Sequence, residues 1–135
     1  MMLEYTVAAK RLDATGSEAT AGGANIILDT GMAGRTDAFN PAELLLASLA
    51  ACMIKGAERV APMIKFDLRG LEVSLHGQRQ DNPPKMVTIT YELVVDTSET
   101  DERIVLLHKN IRKYGTISNT LAGALELSGS IRRKP

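Results

Sequence analysis

The most apolar segment of the chain runs from Leu44 to Ile54 and contains a single polar residue, Ser48. A segment with apolar residues on nearly all sides predicts a helix that is buried over most of its surface. The apolar part is too short to cross a membrane, which takes ~20 residues. Cys52, the only cysteine of the protein, lies inside this segment.

Both ends of this helix are marked in the sequence. Asn40 is a favourable N-cap residue, Pro41 suits the first helical position, and Glu43 stands where the acid of a capping box reaches back. Pro62 favours the end of the helix, because the residue before a proline avoids helical conformation. We therefore predict one long central helix between Asn40 and Pro62.

Before this helix the hydrophobic pattern has a period of two. Alternation from Leu3 to Ala9 predicts a first strand, and Ala24 to Asp29 predicts a second. The intervening residues 14–23 are rich in Gly, Ser, Thr and Ala, which indicates turns with room for a short strand. Residues 30–39 predict the loop that enters the helix.

After the helix the period of two returns over two long segments. Residues 63–81 predict one strand, which Gly70 can interrupt, and an Asp-Asn-Pro-Pro turn joins it to an antiparallel partner. The inward side of that partner is predicted to consist of Val87, Ile89, Tyr91, Leu93 and Val95.

A second, amphipathic helix is predicted after residue 97. Ser98 and Asp101 resemble a capping box, and Gly115 suits the C-terminal end. The inward positions of this helix are Ile104, Leu107, Ile111 and Tyr114. Residues 118–122 favour one more helical turn, and residues 124–132 favour a last strand.

The strands and helices are segregated along the chain, which favours an α+β fold with antiparallel sheets packed on the central helix. At 135 residues the chain predicts a single domain, residues 1–135. A helix that is apolar on all sides needs a sheet on one side and, in so small a domain, a second copy of the chain on the other. We therefore predict an obligate homodimer.

Charge and composition exclude several classes of function. The 16 basic and 16 acidic residues cancel, which argues against an electrostatic nucleic-acid binder. The first residues lack a basic and then apolar leader, and one cysteine cannot form an internal disulfide, so we predict a cytoplasmic protein with no membrane partner. His76 and His108 lack metal-ligand spacing and are interpreted as surface histidines, and no phosphate loop is present, so we predict neither a metal nor a cofactor.

Cys52 leaves two interpretations open. A free cysteine in an apolar helix is often a small packing residue. A reactive thiol needs a nearby cation or hydrogen-bond donors, and Ser48 and Lys55 lie on its face of the helix at i−4 and i+3. Glu43 lies nine positions back, about 180° around the helix, which favours its cap role over contact with the thiol.

Two segments carry a resemblance to a known family. Residues 40–52 (Asn-Pro-Ala-Glu-Leu-Leu-Leu-Ala-Ser-Leu-Ala-Ala-Cys) and residues 113–121 (Lys-Tyr-Gly-Thr-Ile-Ser-Asn-Thr-Leu) resemble the OsmC/Ohr family of osmotically inducible and organic-hydroperoxide-resistance proteins. The resemblance extends from about Asn40 to the C-terminus. It implies an intertwined α+β homodimer, with long central helices at the dimer core and sites shared between subunits.

In the peroxidase branch of this family, a helix cysteine attacks the peroxide O–O bond and a second cysteine resolves the sulfenic acid to a disulfide, which a dithiol reduces. By this resemblance Cys52 is the peroxidatic cysteine. Gly115 occupies the resolving position, and Thr116 replaces the usual proline.

The family also implies a glutamate and an arginine that orient the peroxide. The glutamate position is Ala42 in this chain, and Glu43 follows one residue later. Arg35, or alternatively Arg11, is the candidate for the arginine.

The resemblance therefore favours a one-cysteine protein that reduces small organic hydroperoxides with an external thiol reductant. We expect Ser48, Leu49, Lys55 and Gly115 to form the surrounding binding surface. The alternative is a non-catalytic dimer that binds a small hydrophobic ligand at the subunit interface.

Overall fold

A computed structural model describes residues 2–135, which contain the following elements. The strands are β1 (Ala8–Asp13), β2 (Gly16–Ala21), β3 (Ala24–Asp29), β4 (Gly70–Asp81), β5 (Pro84–Asp96) and β6 (Glu126–Arg133). The helices are α1 (Pro41–Met63), α2 (Asp101–Tyr114) and α3 (Thr116–Ala122). The α+β class is confirmed. The chain forms two compact units, divided between Leu45 and Leu46, and a single domain over residues 1–135 stays a prediction.

The first unit contains an antiparallel sheet in the order β1-β2-β3. Asp13 Oδ1 accepts hydrogen bonds from the backbone N–H of Thr15 at 2.7 Å and of Gly16 at 3.1 Å, so an Asp-centred turn joins the first two strands. The prediction of a first strand from Leu3 to Ala9 is wrong, because β1 starts at Ala8 and continues to this turn. The short strand that the sequence allows within residues 14–23 is β2.

The end of the first unit leads directly into α1. The backbone N–H of Asp29 donates to the carbonyl of Phe39 at 2.9 Å, which closes the loop that precedes the helix. Asn40 Oδ1 accepts from the N–H of Glu43 at 2.8 Å, and Glu43 Oε1 accepts from the N–H of Asn40 at 3.0 Å. This reciprocal pair is the capping box that the sequence predicts.

The second unit contains a sheet in the order β4-β5-β6. The β4–β5 pairing is antiparallel, as predicted, but β4 starts only at Gly70, because α1 continues to Met63. The β5–β6 pairing is parallel, since two helices connect these strands and return the chain to the same end of the sheet. Four of the five residues predicted to face inward on β5 are buried, and the exception is Val87.

Helix α1 is buried along one face rather than on most sides. The buried positions are Leu49, Met53, Gly56, Ala57, Val60 and Ala61. A Cβ at Gly56 would lie 3.7 Å from Ile111 Cγ2, so α1 and α2 pack closely at this point. The opposite face carries the exposed Ala51, and Ile54 is 41% exposed. In the single chain this apolar surface is open.

The start of α2 differs from its prediction. The N-cap is Thr100, whose Oγ1 accepts from the N–H of Arg103 at 3.3 Å. Ser98 lies before the helix and accepts from Arg69 Nη2 at 3.1 Å. Of the four predicted inward positions three are buried, but Tyr114 is 38% exposed.

Arg103 of α2 forms hydrogen bonds with the backbone that follows α1. Its Nε donates to Glu99 Oε1 at 2.8 Å, and its Nη2 donates to the carbonyls of Ile64 and Lys65. These carbonyls lie where the chain leaves the helix, and Lys65 takes a positive φ of 52° there.

We expect Arg103→Met to lower the free energy of unfolding by about 1–2 kcal/mol, because two backbone carbonyls lose a charged donor. Arg132→Met is the control, since the Arg132–Glu92 pair is exposed, and it should cost about 0.5 kcal/mol or less. Urea unfolding of the two variants measures the difference. Equal losses would contradict this role of Arg103.

Candidate functional site

Cys52 lies half-buried on α1, next to the start of α3. Its Sγ accepts a hydrogen bond from the backbone N–H of Ile117 at 3.4 Å. An N–H directed at sulfur interacts more strongly with a negatively charged sulfur than with a neutral one. Cys52 is therefore only partly buried and its sulfur has a fixed donor, which are two features that a purely packing cysteine does not need.

Gly115 adjoins Cys52. A Cβ at position 115 would lie 3.5 Å from Cys52 Sγ, and it would also meet Ser118 Oγ and lie 3.0 Å from the carbonyl of Ile111. The buried Ser118 donates to the Gly115 carbonyl at 3.1 Å. The structure thus brings together two of the predicted site residues, Cys52 and Gly115, and fills the space of a side chain at 115 with the hydroxyl of Ser118.

The other predicted residues near Cys52 on α1 have different exposures. Leu49 is completely buried and belongs to the core. Ser48 and Lys55 are exposed on the helix surface. They remain predicted binding residues.

The remaining predicted residues belong to the first unit. Glu43 is engaged in the capping box with Asn40. Arg35 donates to Asp37 through Nε at 2.6 Å and Nη2 at 2.8 Å, and these hydrogen bonds lower the pKa of Asp37 to about 2. Arg11 is exposed on β1.

Comparison with known proteins identifies the family. The sequence profile described as OsmC-like protein matches residues 34–128. The chain belongs to the OsmC-like family. No curated protein sequence matches this OsmC-like chain.

Solved structures agree with this OsmC-like fold. The OsmC-like protein of Mycoplasma pneumoniae has 21% sequence identity over the whole of both chains and a TM-score of 0.90. An organic hydroperoxide resistance protein of Elizabethkingia anophelis has 16% identity, covering 99% of this chain and 100% of its own, with a TM-score of 0.78. The organic hydroperoxide resistance protein OhrB of Bacillus subtilis has 20% identity, covering 96% and 98%, with a TM-score of 0.67. At these identities the likeness shows the fold.

Two groups at the OsmC-like site were not predicted. The Ile117 N–H and the Ser118 hydroxyl both lie in the second segment of the family resemblance, residues 113–121. For the site, the resemblance in that segment indicates only the absence of a resolving cysteine. A backbone donor leaves no pattern in side-chain identity, so its role becomes visible only when the tertiary position of α3 is known.

His108 corrects another prediction. It is half-buried rather than a surface residue, and its Nε2 lies 2.6 Å from the hydroxyl of Tyr91. Arg112 Nη1 donates to the same hydroxyl at 3.1 Å. Burial lowers the pKa of His108, and the charge of Arg112 acts in the same direction.

This lowered pKa predicts a pH effect on stability. At pH values between the lowered pKa of folded His108 and the ordinary histidine pKa of ~6.5, His108 carries a proton in the unfolded chain but not in the folded protein. The contribution of neutral His108 to the free energy of unfolding is therefore complete above about pH 6.5 and is lost as the pH falls below that value. Urea unfolding at about pH 7.5 and 5.5 should show a smaller decrease in stability for His108→Gln than for the wild type. An equal decrease would contradict the effect.

The described residues also bear on metal sites and membrane spans. Within residues 2–135, no three His, Cys, Asp or Glu side chains are placed to hold a metal ion. None of the helices that the structure describes is long and apolar enough to cross a membrane.

Proposed function

We propose that this OsmC-like protein reduces small organic hydroperoxides through Cys52 and that an external thiol restores the cysteine. The observation that carries the proposal is the hydrogen bond from the Ile117 N–H to the sulfur of the half-buried Cys52, at 3.4 Å. The presence of organic hydroperoxide resistance proteins among the structures of the same fold supports the choice of substrate class.

In the first step the Cys52 thiolate attacks one oxygen of the hydroperoxide. The S–O bond forms as the O–O bond breaks, and the alkoxide leaves and takes up a proton to give the alcohol. The cysteine is oxidised to a sulfenic acid and the peroxide is reduced. The Ile117 N–H stabilises the sulfur while it carries charge, before the bond to oxygen forms.

In the second step an external thiol attacks the sulfenic sulfur. A mixed disulfide forms and water leaves, and a second thiol then releases the Cys52 thiolate and leaves as a disulfide. An external reductant is needed because Cys52 is the only cysteine and Gly115 occupies the resolving position.

We also propose that the protein acts in the cytoplasm as a homodimer. The exposed apolar surface of α1, which includes Ala51 and Ile54, supports the homodimer. A stable dimer typically buries about 800 Å² on each partner, and an apolar helix face at its centre fits the composition of obligate interfaces.

The test is hydroperoxide consumption at steady state, with cumene hydroperoxide as substrate and dithiothreitol as reductant. We expect Cys52→Ser to reduce the rate to that of the buffer, because no other thiol is present. Ser130→Ala is the control, since Ser130 is an exposed serine on β6 with no role in the proposed reaction, and it should stay within about threefold of the wild type.

The same experiment separates enzyme from binding protein. A wild type no faster than Cys52→Ser would overturn the peroxidase proposal. If the wild type and Cys52→Ser then bound cumyl alcohol equally well, the protein would instead be the non-catalytic ligand-binding dimer that the sequence leaves as an alternative.

A further inference from the structure

A cavity in the second unit has no part in the Cys52 chemistry. It has a volume of about 360 Å³ and lies between α2 and β6, with Tyr91 of β5 also in its wall. Helix α2 contributes His108, Lys109 and Arg112, and β6 contributes residues 127–129. The volume is in the lower part of the range for small-molecule sites.

Positive charge in this cavity lacks a counter-charge. Neither Lys109 nor Arg112 forms a salt bridge within residues 2–135, whereas Arg103 and Arg133 of the same unit pair with acids. Arg112 is half-buried, and Lys109 is exposed at the rim. A half-buried guanidinium is stabilised by an anion that accepts its remaining hydrogen bonds.

The Arg112 side chain is held in place by the protein. Its Nη1 donates to the Tyr91 hydroxyl at 3.1 Å, and its Cζ lies 5.8 Å from the centre of the Tyr91 ring. Among the described residues, no protein acceptor is bound to its Nε or Nη2. These donors are therefore available to a ligand, and the side chain is already ordered before binding.

Gly129 is required for this arrangement. A Cβ at position 129 would lie 2.5 Å from two ring carbons of Tyr91, so any side chain there would displace the ring. The displaced ring would move the hydroxyl that anchors Arg112.

We propose that this cavity binds a small organic carboxylate, with the Arg112 guanidinium as its main ligand and Lys109 at the rim. The planar fork of an arginine matches the two oxygens of a carboxylate. Leu127 offers an apolar wall for the organic part. A dianion such as phosphate fits less well, because the cavity adjoins the C-terminal half of α2, where the helix dipole is negative.

Calorimetric titration of the full chain tests the proposal, with benzoate as the probe, benzamide as its neutral counterpart, and inorganic phosphate. We expect benzoate to bind at millimolar or lower concentration and benzamide not to bind. Arg112→Gln should weaken benzoate binding by about tenfold or more, and Lys109→Gln by about threefold. Thermal unfolding of each variant checks that it folds.

Lys113→Gln is the matched control, because it removes the same charge one position later, where the Lys113 amine lies over the Tyr114 ring instead. It should change binding by less than about twofold. An equal loss in Lys113→Gln, absence of benzoate binding, or tighter binding of phosphate would each overturn the proposal. Cys52→Ser should bind benzoate like the wild type, so this result does not depend on the peroxidase proposal.

Discussion

A double variant, Gly115→Cys with Ser118→Ala, should form a disulfide with Cys52 after reaction with one equivalent of hydroperoxide. A Cβ at position 115 would lie 3.5 Å from Cys52 Sγ, which is within reach of a disulfide after a small adjustment. Ser118→Ala removes the hydroxyl that occupies this space. The Gly115 carbonyl keeps its hydrogen bond from the N–H of Asn119 at 2.9 Å.

The disulfide would close a loop of roughly 60 residues, so the oxidised double variant should be more stable than its reduced form by about 4 kcal/mol. Intact mass and thiol counting detect the bond, and urea unfolding gives the stability difference. Gly115→Ala with Ser118→Ala is the steric control, because it introduces the same Cβ without a thiol. A double variant that keeps two free thiols after oxidation would show that position 115 is not the resolving position.

Ala51→Glu should convert the protein from dimer to monomer. Ala51 is exposed in the single chain and lies on the apolar face of α1 that is proposed to meet the second copy. Burying an unpaired charge in that interface costs several kcal/mol, so the dimer dissociation constant should rise by about a hundredfold or more. Sedimentation velocity over a range of protein concentrations measures the change.

Ala122→Glu is the control for this result, because Ala122 is also an exposed helical alanine but lies at the end of α3. It should leave the association state unchanged. A wild type that sediments as a monomer, or an Ala51→Glu variant that sediments like the wild type, would contradict the proposed dimer interface.

The parts of the fold that were predicted correctly are those with several agreeing signals. Helix α1 combines a cap at Asn40, a capping-box acid at Glu43 and a long apolar segment, and its bounds agree with the prediction to within a residue or two. Strand β5 combines a strict period of two with a turn before it. Propensity, pattern and end signals point to the same structure in both cases.

The wrong predictions rest on single signals. Alternation alone suggested a strand from Leu3, whereas the Asp13 turn fixes the register of β1 and β2. Ser98 and Asp101 have the spacing of a capping box, but Thr100 caps α2 and Ser98 binds Arg69. The sequence predicts a surface position for His108, which is wrong because its contact with Tyr91 joins two separate elements and leaves no local pattern.

The candidate site could be predicted only in part from the sequence. The family resemblance identified Cys52 and Gly115, and the structure places them next to each other. The resemblance gave no sign of the Ile117 N–H or the Ser118 hydroxyl, because the positions of these two groups depend on how α3 approaches α1.

The most direct test of the account is the oxidation state of Cys52 after a single turnover without reductant. The wild-type protein is mixed with one equivalent of cumene hydroperoxide, trapped with dimedone and examined by intact mass and peptide mass spectrometry. We predict that one dimedone adduct forms at Cys52, that cumyl alcohol appears in equal amount, and that Cys52→Ser gives neither product. Wild-type protein that consumes no hydroperoxide and keeps Cys52 as a free thiol would contradict the proposal that Cys52 is the peroxidatic residue.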